Sequence, residues 1–408
     1  MNLRDLIRET VENISVFNKR DVLSQDYLPS TLPAREKQFR ELAIYFRDVV
    51  SGGSVSVVLV GKAGTGKTVT AKKFGKEFIE VVKEKNLRVA FVHINCYKHK
   101  TLYLSLIEVA RQINLSLPNR GLSAQELFGL IHEHLEKKKI HLIIAFDGFD
   151  YLANISPVED IYLLTRVYDE LGTQLKSVSY IFIIRDLSSL MGLEDNIKEN
   201  IVKNVIEFPP YTSSELYQIL KERVFEEKAF REGTIGEDVL RFISNLYGSD
   251  TGGSGNARLA IEALDLAGKI ADSEDSQIVT IEHAKKAVNQ INPELIATSD
   301  IIKELNLHEL FLLKAVIDLK KKKNIDFLPM GLVEEEYKRV AENLGVEPRK
   351  HTQVYEYVRR LKVMGLIVTN KSRKGYRGRT TLVSLSVPLL VEELITEEIE
   401  KKLQSHSE

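Results

Sequence analysis

The stretch from Gly61 to Thr68 has the residue types and spacing of a loop that binds phosphate. It reads Gly61-Lys62-Ala63-Gly64-Thr65-Gly66-Lys67-Thr68, after an apolar run and before a helical pattern. Glycines let the backbone N–H groups of such a loop point at phosphate oxygens, and the N-terminus of the following helix adds positive charge. We expect Lys67 to reach the β- and γ-phosphates and the Thr68 hydroxyl to hold Mg²⁺. The pattern therefore predicts a site for a nucleoside triphosphate.

A carboxylate that could complete this site follows an apolar run at residues 140–146. Asp147 ends the run, and an Asp at a strand end can hold Mg²⁺ through water beside a phosphate loop. The next residue is Gly148, where loop ATPases of this kind usually carry a Glu that orients or deprotonates the attacking water. Asp150 is a candidate substitute, although its side chain would take a different direction. The sequence therefore predicts Mg²⁺ at Thr68 and Asp147 and puts hydrolysis in doubt.

Composition restricts the remaining possibilities. A chain of 408 residues exceeds the length at which a single core keeps growing, so we expect two or three domains. The net charge is −1, so a surface for nucleic acid would have to be local. The single cysteine, Cys96, excludes an internal disulfide and fits a reducing cytoplasm. No apolar run approaches the roughly 20 residues of a membrane span, and no secretion signal is visible. We expect a soluble cytoplasmic protein with no membrane partner.

Apolar runs alternate with amphipathic patterns through the first half of the chain. Uninterrupted apolar runs separated by helices are typical of a parallel sheet buried on both faces. Strands are predicted at residues 55–60, 89–95, 140–146 and 178–184, and helices at 35–50, 68–85, 102–113, 123–138 and 158–175. Ligands of such sheets bind at the carboxyl ends of the strands, where the phosphate loop and Asp147 both fall.

The strand pattern stops after Pro209 and Pro210. Helical patterns at 212–228, 236–247, 256–272 and 280–291 predict a small all-α domain. The remainder predicts helices at 301–321, 331–344 and 352–364 and strands at 366–369 and 381–386, which is the order of a winged helix. We therefore expect an α/β nucleotide-binding core with an N-terminal arm at residues 1–210, a helical domain at 211–298 and a winged-helix domain at 299–408.

The winged-helix region concentrates positive charge. Between Arg349 and Thr381 there are ten Lys or Arg and one acid, Glu356, so ten minus one leaves +9. A solvated basic face is the usual meaning of such a run. Here, however, five of the cations lie in a glycine-containing hairpin tip, and others flank the third helix, which in such folds enters the major groove. The region is predicted to bind double-stranded DNA. The candidate contacts are Arg349, Lys350, His351, Thr352, Gln353, Tyr355, Lys371, Arg373, Lys374, Tyr376, Arg377 and Arg379.

Several separate stretches resemble one protein family. Tyr27-Leu28-Pro29, with the run from Leu32 to Gln38, resembles the segment which that family uses around adenine. The run from Ile206 to Leu220 resembles its join between ATPase core and lid, and Gly255-Asn256-Ala257-Arg258 resembles its sensor 2 helix. With the phosphate loop, these stretches make nearly the whole chain similar to the archaeal origin-recognition and helicase-loader (cell division control) family of AAA+ ATPases.

This resemblance implies an initiator of DNA replication that recognises origin DNA, with an AAA+ P-loop core, a small all-α lid and a C-terminal winged helix. It implies ATP or ADP with Mg²⁺ as cofactors, a nucleoid-associated location, and a paralogous initiator and the replicative helicase as partners. The implied nucleotide-binding residues are Tyr27, Leu28, Pro29, Arg35, Gly61, Lys62, Ala63, Gly64, Thr65, Gly66, Lys67, Thr68, Val69, Tyr211, Ile219 and Arg258. Arg258, near the γ-phosphate, joins Asp147 and Asp150 as a catalytic candidate. Arg120 falls at a family insertion that touches DNA, with an ordinary loop as the alternative.

Two departures from the family pattern bear on hydrolysis. Arg185 stands where the family usually has an Asn that senses the nucleotide, and it would either neutralise phosphate charge or pair with Asp186. Asn196 stands where the family often supplies an arginine to a neighbouring subunit, and it carries no cation. Together with Gly148, these residues predict slow or absent turnover. A nucleotide-locked, DNA-binding regulator of replication is therefore the alternative function. A signalling ATPase of the STAND type is a third, which the sensor 2 arginine and the basic wing disfavour.

Overall fold

The first half of the chain folds around a five-stranded parallel sheet. A computed structural model describes residues 15–118, 121–170, 177–292, 298, 301–323, 325, 327–371, 381–386 and 391–405. The strands are β1 (Ser56–Val60), β2 (Arg88–Asn95), β3 (Ile140–Asp147), β4 (Val178–Ile184) and β5 (Val205–Glu207). They pair in the order β2-β3-β4-β1-β5. Every residue of β4 is buried, which confirms the expectation that helices cover both faces.

Helices on the two faces of the sheet bury alternate residues of the same strands. The helices are α1 (Glu36–Val50), α2 (Lys67–Lys83), α3 (Leu102–Gln112), α4 (Ala124–Lys138), α5 (Phe149–Ile155), α6 (Val158–Glu170) and α7 (Asp195–Ile201). One cluster contains side chains of α1 and α2 with Leu59 and Ile183, and the other contains side chains of α3 to α7 with Val58 and Phe182. Because strand side chains alternate between faces, each strand is fixed in register by both clusters.

A helical domain follows the sheet. It contains α8 (Ser213–Lys221), which continues as a π-helical turn (Glu222–Glu226), then α9 (Glu237–Tyr247), α10 (Ala257–Ser273) and α11 (Ile281–Ile291). The first described residues of the chain pack into this domain, although they precede the sheet in sequence. Val16 and Phe17 belong to its apolar cluster, and Asp272 accepts hydrogen bonds from Ser15 Oγ and Val16 N. We call residues 15–31 the N-terminal strap.

The last third combines helices with a small antiparallel sheet. Its elements are α12 (Leu307–Lys323), β6 (Leu328–Pro329), α13 (Met330–Asn343), α14 (His351–Val363), β7 (Ile367–Lys371), β8 (Thr381–Leu385) and α15 (Val391–Ser405). The strands pair in the order β6-β8-β7. The predicted helix at 301–321 is interrupted, because Asn306 caps α12: its Oδ1 accepts from Glu309 N at 3.0 Å, and Glu309 Oε2 accepts from Asn306 N at 2.9 Å.

Several short or late elements are absent from the prediction. They are the seven-residue helices α5 and α7, strand β5, the two-residue strand β6 and the C-terminal helix α15. Ile395 and Ile399 of α15 are buried in the same cluster as α12, so this helix completes the third domain. In the part of the chain that the structure describes, no helix is long and apolar enough to cross a membrane.

Candidate nucleotide site and nucleic-acid interface

A cavity of about 710 Å³ lies between the carboxyl ends of the core strands, α10 and the N-terminal strap. Most of the residues predicted to bind nucleotide or metal line it. They are Tyr27, Leu28, Ala63, Gly64, Thr65, Gly66, Lys67, Thr68, Val69, Asp147, Asp150 and Arg258. The phosphate loop, the strand-end carboxylate and the lid arginine therefore face one space, although they are distant in sequence.

Lys67 is held by the loop that it follows. Its Nζ donates to the carbonyl oxygen of Lys62 at 2.7 Å and to that of Gly61, and the residue is only 8% exposed. Burial lowers the pKa of the Lys67 ammonium to about 8, against the attraction of Asp147 and Asp150, and the nearby Arg185 and Arg258 lower it further. A buried ammonium with two exposed guanidinium groups nearby favours an anionic ligand.

Asp147 gathers polar partners from two other elements. Its Oδ2 accepts from Thr68 Oγ1 at 2.8 Å and lies 3.3 Å from His93 Nε2. Burial raises the pKa of Asp147, but the hydrogen bonds from His93 and Thr68 outweigh it, so the pKa falls below its ordinary value. A hydroxyl and an ionised carboxylate in contact are the oxygen donors that Mg²⁺ prefers, so the predicted pair fits this ion. His93, near the end of the strand beside β3, was not predicted.

Arg185 directly follows strand β4 and was expected either to neutralise phosphate charge or to pair with Asp186. Its side chain lines the cavity, and its backbone N–H donates to Asp150 Oδ2 at 3.3 Å. Asp186, the alternative partner, instead accepts from Ser188 N at 2.7 Å and so caps the 3-10 helix Leu187–Leu190. Pairing of Arg185 with Asp186 is therefore not seen among the described contacts, and the role of Arg185 towards phosphate stays a prediction.

Arg35 does not line the cavity but supports the phosphate loop from behind. It is 1% exposed, and its guanidinium donates to Thr65 O at 2.9 Å and to Pro209 O at 2.7 Å. Its Cζ lies 3.6 Å from the centroid of the Tyr211 ring. Burial lowers the pKa of Arg35 and raises that of Tyr211 to about 12. Other predicted binding residues also lie outside the cavity lining, namely Pro29, Gly61, Lys62, Tyr211 and Ile219.

The phosphate loop also touches the helical domain directly. Ala257 N donates to Gly64 O at 3.0 Å, and Gly64 has a φ of +75°. A Cβ at Gly64 would lie 1.7 Å from Asn256 Oδ1, so this close approach requires glycine. Asn256 caps α10, and the exposed Arg258 follows it into the cavity lining. The contact therefore fixes where α10 begins relative to the loop.

The N-terminal strap closes the other end of the cavity. Residues 23–28 line it, and the strap is fastened to the helical domain through Glu227, which accepts from Tyr27 Oη at 2.6 Å and from Ser30 N at 2.8 Å. The guanidinium of Arg223 lies 4.8 Å from the Tyr27 ring centroid and donates to Val22 O at 3.1 Å. Arg223 was missed, because nothing local in its sequence shows that it faces the strap.

The predicted DNA-contacting residues in the third domain differ in their exposure and in their hydrogen-bond partners. Lys350, Thr352 and Gln353 at the start of α14 are exposed, as is Lys371 at the end of β7. Tyr355 is half-buried. His351 Nδ1 is hydrogen-bonded to Glu334. Six further candidates lie outside the described residues: Arg120, Arg373, Lys374, Tyr376, Arg377 and Arg379.

Two cations counted in the basic region bind within the domain. Arg349 Nε donates to His308 Nε2 at 3.0 Å, and Arg349 N donates to the Tyr337 hydroxyl at 3.1 Å. Arg360 pairs with the fully buried Glu309 at 3.2 Å. The +9 of the sequence therefore overstates the charge that is available to a partner.

Family models match three consecutive stretches of the chain. An AAA domain matches residues 51–188, a Cdc6 AAA+ ATPase-type lid domain matches 217–289, and a CDC6 C-terminal winged helix domain matches 300–391. Over 406 residues the chain is 58% identical to the ORC1-type DNA replication protein 2 of Sulfurisphaera tokodaii, covering 98% of this chain and 97% of that protein. This chain belongs to the family of ORC1-type DNA replication proteins. The sequence-based resemblance is confirmed, as are the AAA+ core, the helical lid and the winged helix.

Further relatives and solved structures agree with this family. The ORC1-type DNA replication protein 2 of Saccharolobus solfataricus is 46% identical over the full length of both chains. The Aeropyrum pernix ORC2 protein, solved as ADPNP-ADP complexes, gives a TM-score of 0.66 at 25% identity and covers 95% of this chain and 99% of that one. The Aeropyrum pernix ORC1 protein in complex with DNA gives a TM-score of 0.60 at 28% identity, covering 93% and 97%.

Proposed function

We propose that this ORC1-type protein holds ATP or ADP with Mg²⁺ between its core and lid and binds origin duplex DNA through its winged helix. The observation that carries the nucleotide part is the convergence of Lys67, Thr68, Asp147 and Arg258 on one cavity. The likeness to an Aeropyrum pernix protein solved as ADPNP-ADP complexes, and to another solved with DNA, supports both parts.

The residues of the cavity divide the work of binding by their chemistry. The loop N–H groups and Lys67 would hold the phosphates, and Thr68 and Asp147 would hold Mg²⁺, which neutralises phosphate charge. Arg258 of the lid lines the same cavity as Lys67 and is assigned to the phosphates. Tyr27 and Leu28 of the strap are assigned to the nucleoside. Arg35 and Tyr211 act indirectly, because they fix the carbonyl of Thr65 within the loop.

Nucleotide is proposed to set the angle between core and lid, and through it the geometry with which DNA is gripped. The contact between Gly64 and Asn256-Ala257 joins the phosphate loop to α10. Arg35 joins the same loop to Pro209, in the segment between core strand β5 and lid helix α8. A ligand that bridges Lys67 on the core and Arg258 on the lid therefore favours one of the possible angles.

The DNA part is tested on exposed lysines of the winged helix. In Lys350→Ala/Lys371→Ala, each lost phosphate contact should lower the slope of log affinity against log salt by about one. The matched control is Lys285→Ala/Lys286→Ala, which removes two cations from lid helix α11, where both pair with acids. Fluorescence titrations of a duplex at several salt concentrations measure both. Unchanged affinity and slope in the first variant would refute the assignment to this surface.

A second candidate function is a regulator that keeps its nucleotide without turning it over. The observation that favours it is Gly148, which places no carboxylate directly after Asp147. Multiple-turnover ATPase measurements with and without DNA separate the two functions. Sustained turnover that Lys67→Ala abolishes would exclude the locked regulator, whereas DNA binding with retained ADP and no turnover would support it.

A further inference from the structure

An aromatic ring occupies the space that a side chain after Asp147 would need. Tyr97 follows the end of β2, and Gly148 follows the end of β3, with a φ of +78°. A Cβ at Gly148 would lie 2.5 Å from the Tyr97 ring. The same ring packs against Tyr151, with 5.0 Å between the centroids. The Tyr97 ring therefore packs against Gly148, and a residue with a carboxylate at position 148 would collide with it.

The carboxylate of Asp150, two residues after Gly148, has one oxygen without a hydrogen-bond partner among the described residues. Asp150 is 7% exposed, and its Oδ2 accepts from Arg185 N at 3.3 Å. Its Oδ1 is buried and has no hydrogen-bond partner among the residues that the structure describes. Arg185 connects Asp150 with Tyr97, because its backbone N–H donates to Asp150 and its guanidinium carbon lies 5.8 Å from the centroid of the Tyr97 ring. Asp150 and Tyr97 both line the cavity that contains Lys67.

Hydrolysis of a bound triphosphate makes specific demands on this place. The oxygen of a water molecule attacks the terminal phosphorus while the bond to the bridging oxygen breaks, and a base accepts a proton from the water. Asp147 is assigned to Mg²⁺, and Asp150, which lines the same cavity three residues further on, is the carboxylate assigned to the proton. A buried oxygen can take that proton only if water reaches it.

We propose that Tyr97 shields Asp150 from water, so that the protein holds a triphosphate and hydrolyses it slowly. The guanidinium carbon of Arg185 lies 5.8 Å from the centroid of the Tyr97 ring and helps to keep it in place. Tyr97 is a positioning residue in this proposal, and Asp150 is the base that it restrains. The inference rests on the proposed binding of nucleotide in this cavity.

The test is steady-state ATP hydrolysis by the full chain. Tyr97→Ala removes the ring from a partly exposed position and should raise turnover by about tenfold or more, because a positioned base contributes 10²–10⁴-fold. Tyr97→Ala/Asp150→Asn should return turnover to the wild-type level. Tyr97→Phe keeps the ring and should leave turnover within about twofold of wild type, so the rise in Tyr97→Ala would come from loss of the ring and not of the hydroxyl. Leu104→Ala on α3 is the control for loss of a similarly exposed side chain.

Binding of MgADP and of ADPNP is measured in parallel with a fluorescent nucleotide. It distinguishes failure of the proposed nucleotide binding from failure of the proposed shielding by Tyr97. Absence of binding by the wild-type chain would refute the proposed function. Intact nucleotide binding with no rise in ATP turnover in Tyr97→Ala would overturn the proposed shielding. A rise in turnover that persists in Tyr97→Ala/Asp150→Asn would overturn the assignment of Asp150 as the base. If the double variant does not fold, Tyr97→Leu, which leaves a smaller and flexible side chain, should still exceed Tyr97→Phe in turnover, and equal rates would overturn the proposal.

Discussion

The nucleotide cavity and the basic surface of the winged helix both collect positive charge, but they hold it differently. At the nucleotide site, Lys67 lines the cavity and Arg35 lies behind the phosphate loop. Both are buried and bound to backbone carbonyls, so the fold fixes where each cation lies. On the winged helix, Lys350 and Lys371 are exposed, and Arg349 and Arg360 are bound to groups inside the domain. A motif with fixed backbone geometry therefore predicts a site, whereas a count of surface charges predicts only a region.

The difference also indicates what each region can discriminate. Desolvated cations interact strongly with an anion, because the local dielectric is low and water does not compete. Exposed cations interact through a field that salt screens within about 10 Å at 0.1 M. Nucleotide binding should therefore depend on single residues, and DNA binding should be spread over many.

Arg35→Met should give the largest effect, because it removes a buried cation that serves several carbonyls at once. Leaving buried acceptors without donors costs roughly 1–3 kcal/mol each, so we expect a loss of about 3 kcal/mol in stability of the core. Thermal unfolding measures this loss, and MgADP titration should show weaker binding as the loop loosens. Arg40→Met, at an exposed position on α1, the helix that Arg35 precedes, is the control. Equal melting temperatures would mean that Arg35 does not support the loop.

Lys67→Ala should lower the affinity for nucleotide by about 100-fold, or roughly 2.7 kcal/mol, because a charge-assisted contact to phosphate is lost in a desolvated place. Calorimetric titration with MgADP measures the change. Lys73→Ala is the matched control on the same helix, since its ammonium pairs with Glu77 at 2.9 Å. A loss of only a few-fold in Lys67→Ala would remove the contrast between the cavity and the basic surface.

What could be predicted from sequence follows the same contrast. The phosphate loop and Asp147 were predicted because their geometry depends on adjacent residues and on a strand end. Tyr97, His93 and Arg223 were missed because each contacts residues that are distant in sequence. Among the elements, most long helices were predicted from their periodicity, although the fifteen-residue α15 was missed. Helices α5 and α7 have seven residues each, too few for a clear period.

The basic region shows the limit of reasoning from charge. Sequence places Arg349 and Lys350 side by side as equal candidates. It does not show that His308, on helix α12, accepts a hydrogen bond from Arg349. Internal pairing of a surface cation depends on tertiary contacts, so charge counts identify the domain but not the individual contacts.

This pair gives the next prediction. Lys350→Ala should lower the salt slope of DNA binding by about one with little change in stability. Arg349→Ala should lower the slope by less and should cost about 1 kcal/mol of stability, since it removes the hydrogen bond to His308. Duplex titrations at several salt concentrations and thermal unfolding measure both effects. Equal slopes and equal melting temperatures for the two variants would mean that Arg349 is as free as its neighbour.

The smallest effect is expected at the edge of the cavity, where one hydroxyl fastens the strap. Tyr27→Phe removes the hydrogen bond to Glu227, and a loss of about 1 kcal/mol would speed release of ADP by about fivefold if the strap must open for release. Stopped-flow release of a fluorescent ADP measures the rate. Tyr247→Phe is the control, because it removes a hydroxyl that accepts from Asn292 elsewhere in the lid. Identical release from Tyr27→Phe and wild type would show that the strap encloses the nucleotide without limiting its exchange. The desolvated cations of the cavity would then retain the ligand alone.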